Sequence, residues 1–99
     1  MDRTYGVSDP IVVVRVRGIG QVYTGACKIH WIACTPSAGL SVWEISDSAL
    51  AAGAVLLECY STAKESKGFG FLPPCPFANG IHLNTFTLMT GITIGYSVV

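Results

Sequence analysis

Residues 68–99 contain no aspartate, glutamate, lysine or arginine, and His82 is their only imidazole. The same span holds Phe69, Phe71, Leu72, Phe77, Ile81, Leu83, Phe86, Leu88, Ile92, Ile94 and Val98. A solvated face of that length normally carries charge. Two destinations take such a stretch out of water. One is a contact between subunits, whose centre is depleted of charged residues. The other is a set of central strands inside one protomer. Composition favours the first. Of the 99 residues 51% are hydrophobic and 12% charged, and six basic side chains cancel six acidic ones. A domain of this size buries only roughly 60–65% of its unfolded surface. The apolar supply exceeds one small core, and a neutral surface does little to prevent association. A homo-oligomer is the expectation.

The length allows a single domain. The chain is too apolar and too sparsely charged for disorder. A zero net charge argues against a nucleic-acid binder, which needs a basic surface to meet phosphate. The longest aliphatic runs are only a few residues, such as 11–14, far short of the ~18 residues of a membrane span. Met1-Asp2-Arg3-Thr4 lacks the basic and apolar regions of a signal peptide, so synthesis in the cytoplasm is expected.

Period-two patterning dominates the chain. Residues 1–10 are polar and end in Asp9-Pro10, and read as an arm; residues 11–99 read as one β domain. Residues 11–17 form a β-branched strand with Arg15 and Arg17 on one face. After a Gly18-Ile19-Gly20 turn come strands at 21–24 and 26–34. Simple alternation puts Cys27, Ile29, Trp31 and Ala33 on one face of the latter, and Lys28, His30 and Ile32 on the other. Residues 35–39 turn, and 40–45 form a strand. Over residues 47–58 a helix competes through Ala49-Leu50-Ala51-Ala52, but Gly53 interrupts it; a loop or single helical turn followed by a strand at 54–60 is expected. Residues 61–67 are a polar loop and 68–72 a glycine–aromatic strand. Pro73, Pro74 and Pro76 bar a central strand there. Asn79-Gly80 suits a tight turn, followed by strands at 80–84, 85–88 and 92–98, with Thr90-Gly91 turning before the last. Seven or eight short antiparallel strands with turns between them predict an all-β fold, a small sandwich or jelly-roll-like arrangement.

The chemistry-bearing residues are few. Glu44 and Glu58 lie on predicted strands that can meet, and paired acids can cleave glycosides; surface charge is the plainer reading. No Gly-x-Ser-x-Gly nucleophile elbow occurs. Cys27, Cys34, Cys59 and Cys75 lack the close Cys-x-x-Cys spacing of structural zinc. On a regular strand Cys27 and Cys34 point to opposite faces, so they do not share an ion with His30. Reduced thiols acting as small hydrophobes are expected. No metal, no cofactor and no enzymatic activity follow from these residues. Trp31, Trp43 and Tyr60 can stack on sugars where exposed, although Trp31 reads as core.

From Gly25 onward the order of features resembles a known class. A Gly25-Ala26-Cys27-Lys28-Ile29 strand start is followed by a glycine-containing turn at 37–40, then Val42-Trp43-Glu44 and a leucine-rich strand at 55–57. The segment Phe71-Leu72-Pro73-Pro74-Cys75-Pro76-Phe77-Ala78-Asn79-Gly80-Ile81 and a final Ile92-Thr93-Ile94-Gly95-Tyr96 complete the pattern. It resembles small β-sandwich virion proteins of tailed bacteriophages, of the capsid cement or decoration type. The resemblance implies a homotrimer on the capsid surface, bound to the major capsid protein between capsomers. In such a trimer Phe69, Phe71, Leu72, Phe77, Ile81 and Leu83 are the candidate subunit contacts. Ile11, Val13, Arg15 and Arg17 are the candidate contacts to the capsid or a neighbour. The alternative is a host- or glycan-binding module of a phage head or tail fibre.

Overall fold

The computed structural model describes residues 10–49 and 53–99. Its eight strands are β1 (Val12–Val16), β2 (Gly20–Thr24), β3 (Cys27–Pro36), β4 (Ser41–Asp47), β5 (Val55–Ser61), β6 (Lys67–Phe77), β7 (Gly80–Thr87) and β8 (Met89–Val98). They form two four-stranded antiparallel sheets, ordered β1-β8-β3-β6 and β2-β7-β4-β5. The pairs β1–β8, β2–β7, β3–β6 and β4–β5 are those of one long hairpin whose tip is β4–β5. Rolled up, successive pairs fall into alternate sheets, and β3–β8 and β4–β7 pairing seals the roll. This is a jelly roll, the all-β fold the alternation predicts. The arm reading of residues 1–10 lies outside the described residues except for Pro10, as does the helix-forming Leu50-Ala51-Ala52.

The core between the sheets is Cys27, Ile29, Ile32 and Cys34 of β3, Trp43 and Ile45 of β4, Phe77 of β6, Ile81 and Leu83 of β7, and Ile92, Ile94 and Tyr96 of β8. Half of these come from the uncharged residues 68–99. The reason is topological. β8 runs between β1 and β3, and β7 between β2 and β4, so both are central strands. A central strand is flanked by backbone on both sides and has one face in the core, which leaves charge little room. The preference for a subunit interface is thereby corrected for Phe77, Ile81 and Leu83. They are 2%, 0% and 0% exposed within a single protomer and present no surface to a second one.

Bulges account for the other departures. Ile29 pairs with Tyr96 and Trp31 with Gly95, so His30 is an extra residue in β3. An extra residue reverses the alternation beyond it. Ile32 and Cys34 therefore face the core along with Cys27 and Ile29, while Trp31 leaves the core for the outer face and lies across Gly95. Cys27 and Cys34 point the same way, contrary to simple alternation, and His30 points the other way, onto Ser97. Asn84 is similarly extra in β7, since Glu44 pairs with Thr85 and Ile45 with Leu83. The break in pattern at 84/85 marks this bulge inside one strand, where two strands were expected. The last turn sits at Leu88, with φ of 61° at Leu40 and 53° at Leu88 marking two left-handed positions, and Thr90-Gly91 belongs to β8.

The prolines sit where their missing donors do least harm. β6 is an edge strand, paired with β3 alone. Between Cys75, opposite Ile29, and Gly70, opposite Trp31, residues 71–74 bow out of the ladder. Leu72 at that bow is 97% exposed.

Candidate functional site

The polar side chains concentrate on the outer face of the β2-β7-β4-β5 sheet. Alternation in β4 and β5 sends Trp43, Ile45, Leu57 and Cys59 inward and Glu44, Glu58 and Tyr60 outward. Glu44 and Glu58 are directly paired across the strands, so the two carboxylates do meet. The Tyr60 hydroxyl stands 3.4 Å from Glu44 Oε2 and 3.4 Å from Glu58 Oε2. The Thr85 hydroxyl, one strand further in, donates to Glu44 Oε1 at 2.6 Å. The charges of Glu58 and then Glu44 push the Tyr60 phenol above its ordinary value, keeping it a hydrogen-bond donor. Thr85 was the member of this cluster that strand pattern alone did not single out; its place depends on the Asn84 bulge.

Beside this cluster runs a second network that braces the sheet. Gln21 donates through Nε2 to the carbonyls of Tyr23 and Ser48, at 2.8 and 2.7 Å. Its Oε1 therefore faces His82, and His82 Nδ1 donates to it at 2.8 Å. Ser46 Oγ donates to Asn84 Oδ1 at 2.8 Å and accepts from the Gly53 amide, while Asn84 Nδ2 donates to the Gly53 carbonyl at 3.0 Å. The amide groups of Gln21 and Asn84 and the hydroxyl of Ser46 are all occupied by neighbours, which suits a structural brace.

Asp47, at the end of β4, has an equally structural task. Its carboxylate accepts from the amides of Ala78, Asn79 and Gly80 at 2.9, 2.7 and 3.2 Å, gripping the turn between β6 and β7. Partial burial pushes its pKa up, but the backbone donors outweigh that and hold it below its ordinary value. A carboxyl with a lowered folded pKa stabilises fully above its unfolded pKa and ceases to do so as pH falls through the folded one. Asp47→Ala is expected to lose about 1–3 kcal/mol by leaving amides unpaired. Urea midpoints followed from about pH 6 to about pH 2 are expected to fall more steeply in the wild type than in Asp47→Asn; parallel curves would contradict this role.

The thiols are placed for packing. All four cysteines are unpaired, with Cys27 and Cys34 buried and Cys59 and Cys75 half-buried. Burial, reinforced by the Asp47 charge, pushes the Cys27 thiol up to about 11, so it is protonated at neutral pH. His30 faces the opposite side of β3 and bonds Ser97 Oγ at 2.8 Å, so no thiol–imidazole pair forms there. Among the described residues no three His, Cys, Asp or Glu side chains gather as a metal set, and no cavity opens.

The residues expected to make contacts separate into three groups. Phe77, Ile81 and Leu83 are core. Phe69 and Phe71 are half-buried and pack against the core, with Phe69 edge-on to Trp43 at a centroid distance of 6.0 Å. Leu72 alone of that set is fully at the surface. Ile11 and Val13 are 43% and 58% exposed, and Arg15 and Arg17 are exposed on the outer side of β1. Of the three aromatics named for sugar stacking, Trp43 is core at 3% exposure, Trp31 is half-exposed and Tyr60 is 67% exposed. The chain matches no family model, no curated protein and no solved structure.

Proposed function

We propose that this chain is a structural protein of a virion, a capsid cement or decoration protein that binds between capsomers and stabilises a phage head. The observation that carries the reading is the strand order. Eight strands folded as one rolled hairpin make the jelly roll, an architecture used by viral capsid and lectin domains. Two broad flat faces and a filled interior suit a protein that works by surface contact repeated through symmetry. The test is made on purified particles with and without the protein. Particles lacking it are expected to release their genome at a lower temperature, by about 5 °C or more. Unchanged release, or absence of the chain from particles by mass spectrometry, would reject the reading.

One observation favours a second reading. Tyr60 offers an exposed ring between two carboxylates, a combination that stacks on a sugar ring and accepts from its hydroxyls. A glycan-binding module would lose glycan binding with Tyr60→Ala while particle stability stayed unchanged.

A further inference from the structure

The strands of the two sheets carry charge of opposite sign. The strands of the β1-β8-β3-β6 sheet contain Arg15, Lys28 and Lys67 and no acid. Those of the β2-β7-β4-β5 sheet contain Glu44, Asp47 and Glu58 and no lysine or arginine.

On the outer face of the first sheet two glycines of β8 lie under large side chains. Arg15 lies over Gly91 and donates to Thr93 Oγ1 at 3.0 Å, and exposed Arg17 extends the same side of β1. Gly95 lies beneath Trp31, and Gly70 and Gly68 stand in register with Trp31 and Ala33. Trp31 is thus an indole lying over Gly95 in the sheet whose outer guanidinium, Arg15, lies over Gly91. On the acidic face Glu44 and Glu58 oppose each other with no cation in their own sheet. Tyr60 and Leu56 flank them, 67% and 48% exposed.

Like charges directly opposite destabilise a sheet, a local conflict that an incoming cation relieves. Arginine and tryptophan are the residues that most often dominate binding energy, and guanidinium matches carboxylate in geometry. We infer that these faces recognise each other between copies of the chain: the Arg15–Arg17–Trp31 face of one copy seats on the Glu44–Glu58–Tyr60 face of the next. The body measures 49 × 28 × 18 Å, so each broad face exceeds the roughly 800 Å² that a standard interface takes from a partner. Because the faces lie on opposite sides of the slab, the contact is heterologous. Each added copy leaves one basic and one acidic face open, and the stack grows with concentration. The inference does not require a virion. Its failure appears in the mass of the free chain in solution, whereas failure of the virion reading appears in particles.

The test is sedimentation velocity on the purified chain at about 50 mM and about 500 mM salt. Self-association is expected to weaken at least about tenfold across that range. Glu44→Lys with Glu58→Lys, and Arg15→Glu with Arg17→Glu, are each expected to abolish it. Mixed together, the two variants are expected to associate again, because each supplies the face the other lost. Circular dichroism checks the fold, and the single exposed changes Glu58→Lys and Arg17→Glu, each weakening association about tenfold, serve if a double variant does not fold. A chain that stays monomeric at both salt concentrations, association that survives either reversal, or a mixture that stays monomeric overturns the inference.

Discussion

Phe77→Asp is expected to leave no cooperative unfolding transition at all. Phe77 ends β6 and is 2% exposed inside the protomer, opposite Cys27 of β3. Truncating a buried phenylalanine costs about 3–5 kcal/mol, and an unpaired carboxylate in its place adds a desolvation penalty. A domain of this size has a total stability of about 5–15 kcal/mol, so the sum reaches the whole of it. The contrasting change is Leu72→Asp, five residues earlier in the same strand and 97% exposed. That variant is expected to fold like the wild type, within about 0.5 kcal/mol. Urea denaturation followed by tryptophan fluorescence reads both. A folded Phe77→Asp protomer that had merely dissociated from an oligomer would return this side chain to a subunit interface.

Gly80→Ala is expected to destabilise by about 2–5 kcal/mol. Gly80 opens β7 at φ 148°, a conformation that side chains rarely adopt. A Cβ there would run into the carbonyl oxygen of Tyr23 and lie 2.9 Å from that of Ser48. Both obstacles are backbone, in β2 and just beyond β4, so neither swings aside. The Gly80 amide also bonds Asp47 and its carbonyl accepts from Ser48 at 3.1 Å. The site therefore joins three segments where one added methyl has no room. Gly70→Ala is the control. Nothing lies within 4 Å of the Cβ it would add, and it is expected to change the urea midpoint little. Equal midpoints for the two variants would refute the packing argument at Gly80.

Local pattern carried a good deal of the candidate site. Arg15 and Arg17, two residues apart, read as one side of a strand, and both are exposed, Arg15 in β1 and Arg17 just past its end. Glu44 and Glu58 on separate strands were legible as a pair that can meet, and they are direct neighbours. Trp31, however, read as core and went to the surface, because the extra residue at His30 turns the second half of β3 over. Such a bulge is set by pairing with β8, a strand more than sixty residues away, and nothing in the local run of β3 announces it.

The sequence by itself determined the β class, the place of nearly every strand, the turn at Asn79-Gly80 and the exclusion of the proline segment from a sheet centre. Each follows from a neighbour-to-neighbour constraint: alternation, a missing amide, a glycine at a tight turn. Tertiary structure alone decided why residues 68–99 carry no charge. They supply two of the four central strands, β7 and β8, and half of the core, so much of their apolar surface is spent within the protomer. It also decided that the charges within the strands divide by sheet, Arg15, Lys28 and Lys67 in one and Glu44, Asp47 and Glu58 in the other. Rolling the hairpin sends successive strand pairs to alternate sheets, and sheet membership is a long-range property that no local window contains.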